Sequence, residues 1–152
     1  GPQVMLGYYK NPDATADAFN KEGFFKSGDY GYMDEDGYIY ITGRKKNIII
    51  LQNGKNVYPE EIEEYLYKLD IISECVVVGK ELESGEIMLT AIIYPDYSKF
   101  EGLDESAIIE IMKAEVLKIN KQLPIFKQIR NIELKKNEFE KTTTKKIIRH
   151  KI

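Results

Sequence analysis

The segment from residue 43 to residue 66 constrains the fold more than any other, because a basic cluster, an apolar run, a turn signal and a helix start follow one another there. The run from Ile48 to Leu51 is too short for a typical helix and is rich in β-branched residues. Asn53-Gly54 follows it, and this dipeptide suits the positive φ angles of a tight hairpin turn. The pattern predicts a buried strand over residues 47–51 that ends in a chain reversal.

A helix is predicted directly after this turn. Pro59 suits the first helical position, where a missing N–H costs nothing, and Glu60 and Glu61 place negative charge at the positive end of the helix dipole. The helix is therefore expected to begin at about Tyr58 and to cover residues 59–69. Its apolar residues recur at helical spacing and predict one buried face: Ile62, Leu66 and Leu69.

The rest of the chain after Arg44 alternates between strand and helix patterns. We predict strands 73–79 and 86–94, a helix 104–122 that Asp104 caps, a strand 129–135 and a terminal helix from about Thr144. Together with the first strand and helix, this order predicts an α+β domain with a short mixed or antiparallel sheet packed by helices.

The first 43 residues have a different character. They are rich in Gly and Tyr, with short strand patterns at 23–26, 30–33 and 38–42, a hairpin signal at 34–37 and a short helix at 14–19. Fewer than about 40 residues rarely fold without staples. We therefore expect the β-rich edge of a larger upstream domain, and the start at Gly1 instead of Met favours a piece of a longer protein.

Composition narrows the function classes. The chain has 22 Lys and Arg against 25 Asp and Glu, a net charge of −3, which argues against a dedicated nucleic-acid binder. Cys75 lies beside three valines in a predicted strand, so we expect a core thiol and a reducing, cytoplasmic compartment. His150 is the only histidine, so no histidine-based metal site or Ser-His-Asp triad is predicted.

Three motifs carry chemistry: Ser27-Gly28-Asp29, Gly43 to Asn47 with three adjacent cations, and Phe139 to Arg149 with paired lysines after three threonines. With the opening stretch of the chain, they resemble motifs of the acyl-adenylate-forming enzymes, the superfamily of acyl-CoA synthetases, luciferases and peptide-synthetase adenylation domains. The terminal motif is most similar to that of the long-chain fatty acid–CoA ligase branch. The resemblance covers essentially the whole chain.

The resemblance implies a role for five residues. Asp29 would accept both ribose hydroxyls of ATP and Arg44 would also contact the ribose. Lys46 would be the hinge about which a small domain rotates, and Gly54 would leave room for the pantetheine of CoA. Lys146 would be the catalytic lysine that reaches the substrate carboxylate and the α-phosphate, because a compact ammonium charge suits developing oxygen anions.

One position departs from the usual motif. Lys145 stands where a glycine usually precedes the catalytic lysine, so either lysine remains a candidate for the catalytic role. The triple threonine with paired lysines favours Lys146.

The function implied is that of the C-terminal part of an AMP-forming acyl-CoA synthetase. Residues 1–43 would end the large adenylation domain and residues 44–152 would form the C-terminal mobile domain. The intact enzyme would join a fatty acid to CoA through an acyl-adenylate and would use ATP, Mg²⁺ and CoA. The fragment lacks a phosphate-cradling loop of the superfamily's kind, so we expect it to be inactive alone and to bind none of these cofactors.

Alternatives remain open. One is another adenylating ligase, acting on aryl acids or loading a carrier protein, because the acyl pocket would lie upstream. The other is a non-catalytic binding module whose basic tail from Lys135 to Lys151 contacts RNA or anionic lipid. For the ligase, the expected partners are the upstream domain and the three substrates, without nucleic acid, and peripheral association with a membrane stays open.

Overall fold

The computed structural model divides the chain into two compact units, Gly1–Lys46 and Asn47–Ile152. It describes the backbone of residues 1–152 and every side chain except that of His150. The prediction made for His150 therefore lies outside the described residues.

The first unit contains one short helix and one hairpin. Helix α1 (Pro12–Ala18) starts with a proline and is capped by Asn11, whose side-chain oxygen accepts a hydrogen bond of 3.0 Å from the Ala14 N–H. Strands β1 (Asp29–Met33) and β2 (Ile39–Arg44) pair antiparallel. The strand predicted at residues 23–26 is wrong, because only an isolated bridge between Phe19 and Phe25 forms there.

This first unit lacks an apolar core of its own. Gly43 is the one buried residue among the residues described here, and every residue of β1 is exposed. Large apolar side chains of the hairpin are exposed on it as well: Tyr30, Tyr32, Met33, Tyr38, Ile39, Tyr40 and Ile41. This exposure supports the expectation that the segment is too thin to fold around itself.

The second unit opens with a small hairpin. Strand β3 (Ile49–Ile50) pairs antiparallel with β4 (Asn56–Val57) through the predicted reversal. The prediction that this strand is buried is wrong: Ile50 is 66% exposed and Ile49 is only partly buried. A two-stranded hairpin covers one face only, and Ile49 uses that face to pack onto Gly79, where a Cβ would lie 2.7 Å from its methyl group.

The main sheet has three strands in the order β5 (Ile72–Glu81), β6 (Ile87–Pro95) and β7 (Asn131–Leu134). Strands β5 and β6 are antiparallel, whereas β6 and β7 are parallel. The predicted mixed sheet is confirmed. The parallel pair requires a crossover, which the second long helix supplies.

Two helices cover one face of this sheet. Helix α2 (Pro59–Leu66) begins with proline after Tyr58, as predicted, and α3 (Glu105–Asn120) is capped by Asp104, which accepts a hydrogen bond of 2.8 Å from the Ala107 N–H. Their apolar stripes meet alternate residues of β5 and β6 in the core: Ile62, Leu66, Cys75, Val77, Ala91, Ile93, Ile108, Met112 and Val116. Cys75 is 1% exposed, so the predicted core thiol is confirmed, and burial raises the pKa of that thiol.

The C-terminal segment lies against the other face of the sheet. Phe139 and Ile152 line a cavity of about 440 Å³ together with Val78 and Ile92. The helix predicted from Thr144 is wrong: residues 140–148 form a hairpin loop and only a single 3-10 turn, Arg149–Lys151, follows. Lys145 has φ of 61°, a left-handed conformation that an α-helix does not accommodate.

Within the described part of the chain, none of the helices has the length and apolar character needed to cross a membrane.

Candidate functional site

Asp29 and Arg44 meet at one end of the β1–β2 hairpin. They are cross-strand partners, and an Arg44 guanidinium nitrogen lies 2.5 Å from an Asp29 carboxylate oxygen. The same nitrogen donates a hydrogen bond of 2.9 Å to the Ser27 carbonyl. The guanidinium therefore orients the carboxylate and fixes the turn that precedes it.

Gly28 serves this turn through its backbone conformation. Its φ is 75°, and a Cβ placed there would meet no atom within 4 Å. Its carbonyl accepts a hydrogen bond of 2.8 Å from the Lys45 N–H. The glycine is needed for the left-handed conformation of the turn, and a close approach to a ligand remains a prediction.

Lys46 is exposed in the 3-10 turn Lys45–Asn47 and is the last residue of the first unit. Asn47, the next residue, donates a hydrogen bond of 2.5 Å to a carboxylate oxygen of Glu60 in the first turn of α2. The backbone on the C-terminal side of Lys46 is thus fixed to a helix. On the other side, the Lys45 N–H is bonded to the Gly28 carbonyl. Lys46 thus lies at an element terminus between two held residues, where hinge residues are commonly found, and the hinge itself remains a prediction.

Gly54 lies at the tip of the β3–β4 hairpin with φ of 75°. Its N–H donates to the Leu51 carbonyl, and the Leu51 N–H donates to the Lys55 carbonyl, at 2.9 and 3.0 Å. Nothing lies within 4 Å of the position that its Cβ would take. The tip is therefore open.

Lys146 is the last residue of the turn in the C-terminal hairpin, which spans Glu140 to Ile148. The Thr142 N–H donates to the Lys146 carbonyl at 2.8 Å and the Lys145 N–H donates to the Thr142 carbonyl at 2.9 Å. The Thr142 hydroxyl also accepts a hydrogen bond of 3.2 Å from the Lys146 N–H. The loop is a defined turn, in which both lysines lie exposed at the tip.

Most cations around this hairpin are paired with carboxylates. Lys141 contacts Glu74 and Glu138, and Lys151 contacts Glu140. Lys145 and Lys146, in contrast, form no ion pair with any carboxylate that the structure describes. Two neighbouring unpaired ammonium groups beside threonine hydroxyls are suited to an anionic ligand.

Arg149 anchors the end of the hairpin to the domain core. Its guanidinium lies 2.5 Å from a Glu63 carboxylate oxygen, and the other Glu63 oxygen accepts a hydrogen bond of 2.7 Å from the Val77 N–H. The Glu63 side chain is 9% exposed. Burial raises the pKa of Glu63, and the guanidinium and the N–H offset part of that effect.

The side chains of Glu63 and Tyr67 also form hydrogen bonds with backbone groups on the outer edge of β5. The Tyr67 hydroxyl donates to the Cys75 carbonyl at 3.2 Å and accepts from the Cys75 N–H at 3.3 Å. Burial, the main cause, raises the pKa of Tyr67 to about 12. Alternate backbone groups of this edge strand are thereby bonded by Glu63 of α2 and by Tyr67, the residue that follows the helix.

Sequence reasoning missed Glu63, Arg149 and the pair formed by Asn47 and Glu60. The sequence held one signal for Glu63, which is its position beside Ile62 on the apolar face of α2. A carboxylate that is buried on such a face needs a hydrogen-bonding or charged partner. Its partner is 86 positions away in the sequence. No local pattern identifies that partner.

The predicted site residues fall into separate groups. Asp29 and Arg44 contact each other in the first unit, and Lys46 ends that unit. Gly54 and Lys146 lie at the tips of two hairpins of the second unit, each held by its own hydrogen bonds. Among the described residues, no cluster of His, Cys, Asp and Glu is suited to a metal ion.

Comparison with known proteins identifies a family model and several ligases that this chain resembles. Residues 46–152 match a family model described as the AMP-binding enzyme C-terminal domain. The chain is 38% identical over 130 residues to the long-chain-fatty-acid–CoA ligase of Bacillus subtilis (strain 168), covering 82% of this chain and 23% of that protein. It is 34% identical over 155 residues to the 2-succinylbenzoate–CoA ligase of Listeria innocua serovar 6a, covering 100% of this chain and 30% of that protein.

A solved structure agrees with these relatives. The crystal structure of ATP-bound MatB from Rhodopseudomonas palustris superposes with a TM-score of 0.75 at 30% identity, covering 99% of this chain and 28% of that chain. The chain thus spans less than a third of the length of each of these proteins.

Proposed function

Since this chain belongs to the family of AMP-binding enzyme C-terminal domains, we propose that it is the C-terminal part of an AMP-forming acyl-CoA ligase. In the intact enzyme, a carboxylate attacks the α-phosphate of Mg·ATP and forms an acyl-adenylate and pyrophosphate. The CoA thiol then attacks the acyl carbon and releases AMP. The observation that carries the proposal is the anchored hairpin with two unpaired lysines at its tip.

The C-terminal hairpin would act in the first half-reaction. Lys146 approaches the carboxylate and the α-phosphate and stabilises negative charge on their oxygens as the anhydride forms. Arg149 holds the hairpin to the core through the buried Glu63 carboxylate, so the lysine is presented on a fixed support. A preorganised cation stabilises the transition state without the cost of ordering a flexible loop.

The proposed nucleotide contacts of the first unit follow from the pair at the end of its hairpin. Asp29 offers carboxylate oxygens to the vicinal hydroxyls of the ribose, and Arg44, which orients that carboxylate, offers N–H donors to the same sugar. We further propose that residues 1–43 belong to the large adenylation domain, which would cover the exposed apolar side chains of the hairpin, and that residues 44–152 form the mobile domain.

A fatty acid is the substrate that we propose. Two observations support it: the long-chain-fatty-acid–CoA ligase of Bacillus subtilis is among the matched relatives, and the threonine and lysine motif at 142–146 is similar to that of this branch. The relative named for 2-succinylbenzoate favours an aryl acid as the second candidate. Both candidates use the same two half-reactions.

The test uses the intact protein that carries this chain. Purified protein is incubated with ATP, Mg²⁺, CoA and each of a panel of carboxylic acids, including palmitate, benzoate and 2-succinylbenzoate. We expect pyrophosphate release with fatty acids and AMP in equal amount. Pyrophosphate release with the aryl acids alone would indicate that the substrate is an aryl acid and not a fatty acid. No pyrophosphate release with any acid of the panel would refute the proposed ligase activity.

Replacement of Lys46 by proline is expected to separate the two half-reactions. Proline fits the φ of a 3-10 turn but fixes it, and it restricts Lys45 as well, so rotation about this point is hindered. We expect ATP–pyrophosphate exchange to stay within about twofold of wild type while thioester formation falls about 100-fold. Lys46→Ala, which leaves the backbone free, is the matched control, and normal thioester formation by Lys46→Pro would contradict the hinge.

Replacement of Gly54 by alanine tests the thiol path. A left-handed alanine costs roughly 1 kcal/mol, and Gly37→Ala makes the same change in the β1–β2 hairpin, where φ is 86° and nothing lies within 4 Å. If pantetheine passes Gly54, its variant loses about tenfold in thioester formation from supplied acyl-adenylate, because a methyl group narrows the path. Gly37→Ala should leave this rate unchanged, and equal losses in both variants would remove Gly54 from the path.

A further inference from the structure

Five hairpin turns of this chain share one hydrogen-bond pattern. In each, the N–H of the first residue donates to the carbonyl of the fifth, and the N–H of the fourth donates to the carbonyl of the first. The pattern is that of a three-residue hairpin loop whose fourth position is left-handed. The five turns are Asn20–Phe24, Asp34–Tyr38, Leu51–Lys55, Leu82–Glu86 and Thr142–Lys146.

Four of these turns place glycine at the left-handed position, and the fifth places a lysine there. The φ angles are 82°, 86°, 75° and 79° at Gly23, Gly37, Gly54 and Gly85, and 61° at Lys145. A residue with a Cβ occupies this region at a cost in free energy, whereas glycine does not. A left-handed residue with a side chain therefore occurs at one of these five turns, whereas the other four have glycine at that position.

The backbone of the turn does not explain the lysine. Thr142 accepts a hydrogen bond on its hydroxyl from the N–H four residues on, as Asn20 and Asp34 do with their side-chain oxygens at the first position of their turns. Those two turns form with glycine at the fourth position. The same turn with glycine at position 145 would retain all of these bonds.

The surroundings of Lys145 do not explain it either. The nearby acidic residues Glu138 and Glu140 are engaged by Lys141 and Lys151. Lys145 itself has no ion pair with a carboxylate of the described residues, and it is exposed at the tip beside Lys146. Residues held in costly conformations concentrate at functional sites, where the side chain serves a ligand.

We infer that Lys145 is a further phosphate-binding residue, which contacts the polyphosphate of the nucleotide next to the group held by Lys146. The inference rests on the ligase function proposed above and adds a second cation to its first half-reaction. Two adjacent ammonium groups match the adjacent charges of a triphosphate, and each acts as a point charge that follows phosphate oxygens. Lys145 then affects the binding of Mg·ATP more than the chemical step that Lys146 serves.

The test compares three substitutions at this position in the intact ligase. Lys145→Gly relieves the backbone and removes the charge, Lys145→Asn removes the charge in a residue that tolerates the left-handed region, and Lys145→Arg keeps the charge. We expect KM for Mg·ATP in ATP–pyrophosphate exchange to rise about tenfold with Gly and Asn, with kcat within about threefold of wild type. Lys145→Arg should stay near wild type, and the difference between charged and neutral variants should shrink as salt increases.

Two further readouts separate this inference from a merely structural role. Lys145→Gly in the 152-residue chain should raise Tm by about 2 °C, because the costly conformation is relieved. Thioester formation from supplied acyl-adenylate, which needs no polyphosphate, should be unchanged in all three variants.

Several results would overturn the inference. An unchanged KM for Mg·ATP in both neutral variants would show that the lysine has no phosphate contact, and an unchanged or lower Tm for Lys145→Gly would remove the conformational premise. Absence of exchange by the wild-type ligase with every acid of the panel would instead refute the proposed function, and this inference with it. Exchange by wild type together with a normal KM in the variants refutes the inference alone.

Discussion

We expect Lys146→Ala in the intact ligase to lower the rate of acyl-adenylate formation about a thousandfold. The ammonium group is unpaired in the described structure and lies on a hairpin whose end is fixed to the core by Arg149. It is therefore available to an oxygen anion whose charge grows in the transition state, and alanine offers no replacement for that charge. The measurement is ATP–pyrophosphate exchange at saturating ATP and acid, so that kcat is observed.

The second half-reaction provides the internal control for this variant. Thioester formation from supplied acyl-adenylate and CoA should persist, because that step does not form the anhydride. Lys113→Ala removes an exposed lysine of α3, paired with Glu110, and should leave both steps unchanged. Pyrophosphate exchange at the wild-type rate in Lys146→Ala would disprove the catalytic assignment, and loss of both half-reactions would indicate a disturbed domain instead.

The largest effect on stability is expected from Arg149→Met. The guanidinium is the charged partner of the Glu63 carboxylate, whose side chain is 9% exposed. Removing one partner of a buried ion pair leaves the other charge unpaired in a poorly solvated place, which typically costs about 3 kcal/mol or more. We expect the free energy of unfolding of the 152-residue chain, measured by urea titration with circular dichroism, to fall by roughly that amount.

The pH dependence of this loss distinguishes the ion pair from a packing defect. Burial raises the pKa of Glu63, and the Arg149 guanidinium opposes that rise, so the pKa is higher still in the variant. A carboxyl group whose pKa is raised by folding stabilises the fold at low pH, and this stability is lost as pH rises through the folded-state pKa. The loss caused by Arg149→Met should therefore be smaller at pH 5 than at pH 8.

Two control variants sharpen this test. Lys151→Met removes the exposed partner of Glu140 and should change stability little, as expected for an exposed pair. Glu63→Leu combined with Arg149→Met removes both charges and should recover part of the stability that the single variant loses, because no unpaired charge remains. A loss independent of pH, with no recovery in the double variant, would assign the effect to packing alone.

Local patterns predicted most elements of the second unit. Proline and two glutamates marked the start of α2, Asp104 marked that of α3, and Asn53-Gly54 marked a reversal. These signals predict the structure correctly because helix capping, interaction with the helix dipole and the left-handed conformation of glycine in a turn all involve residues that are close in the sequence.

Local patterns failed where the outcome depends on a turn closed by several hydrogen bonds or on contacts with distant residues. The terminal helix predicted from Thr144 is a hairpin, because Thr142 to Lys146 bond to one another and the segment is held to α2 and β5 by Arg149. Ile50 lies in an apolar run that predicts a buried strand. It is exposed because β3 has only one partner strand and one covered face.

The sequence by itself determined the α+β order of elements from β3 to β7, the turns that glycine permits and the family to which the chain belongs, because each of these depends on short stretches of residues. The tertiary structure decided the parallel pairing of β7 with β6, the burial of Glu63 against an arginine 86 positions away and the left-handed conformation of Lys145. Each of the latter depends on contacts between segments distant in the chain or on a turn closed by several hydrogen bonds. The free energies of these interactions depend on the packed structure, so short stretches of sequence do not reveal them.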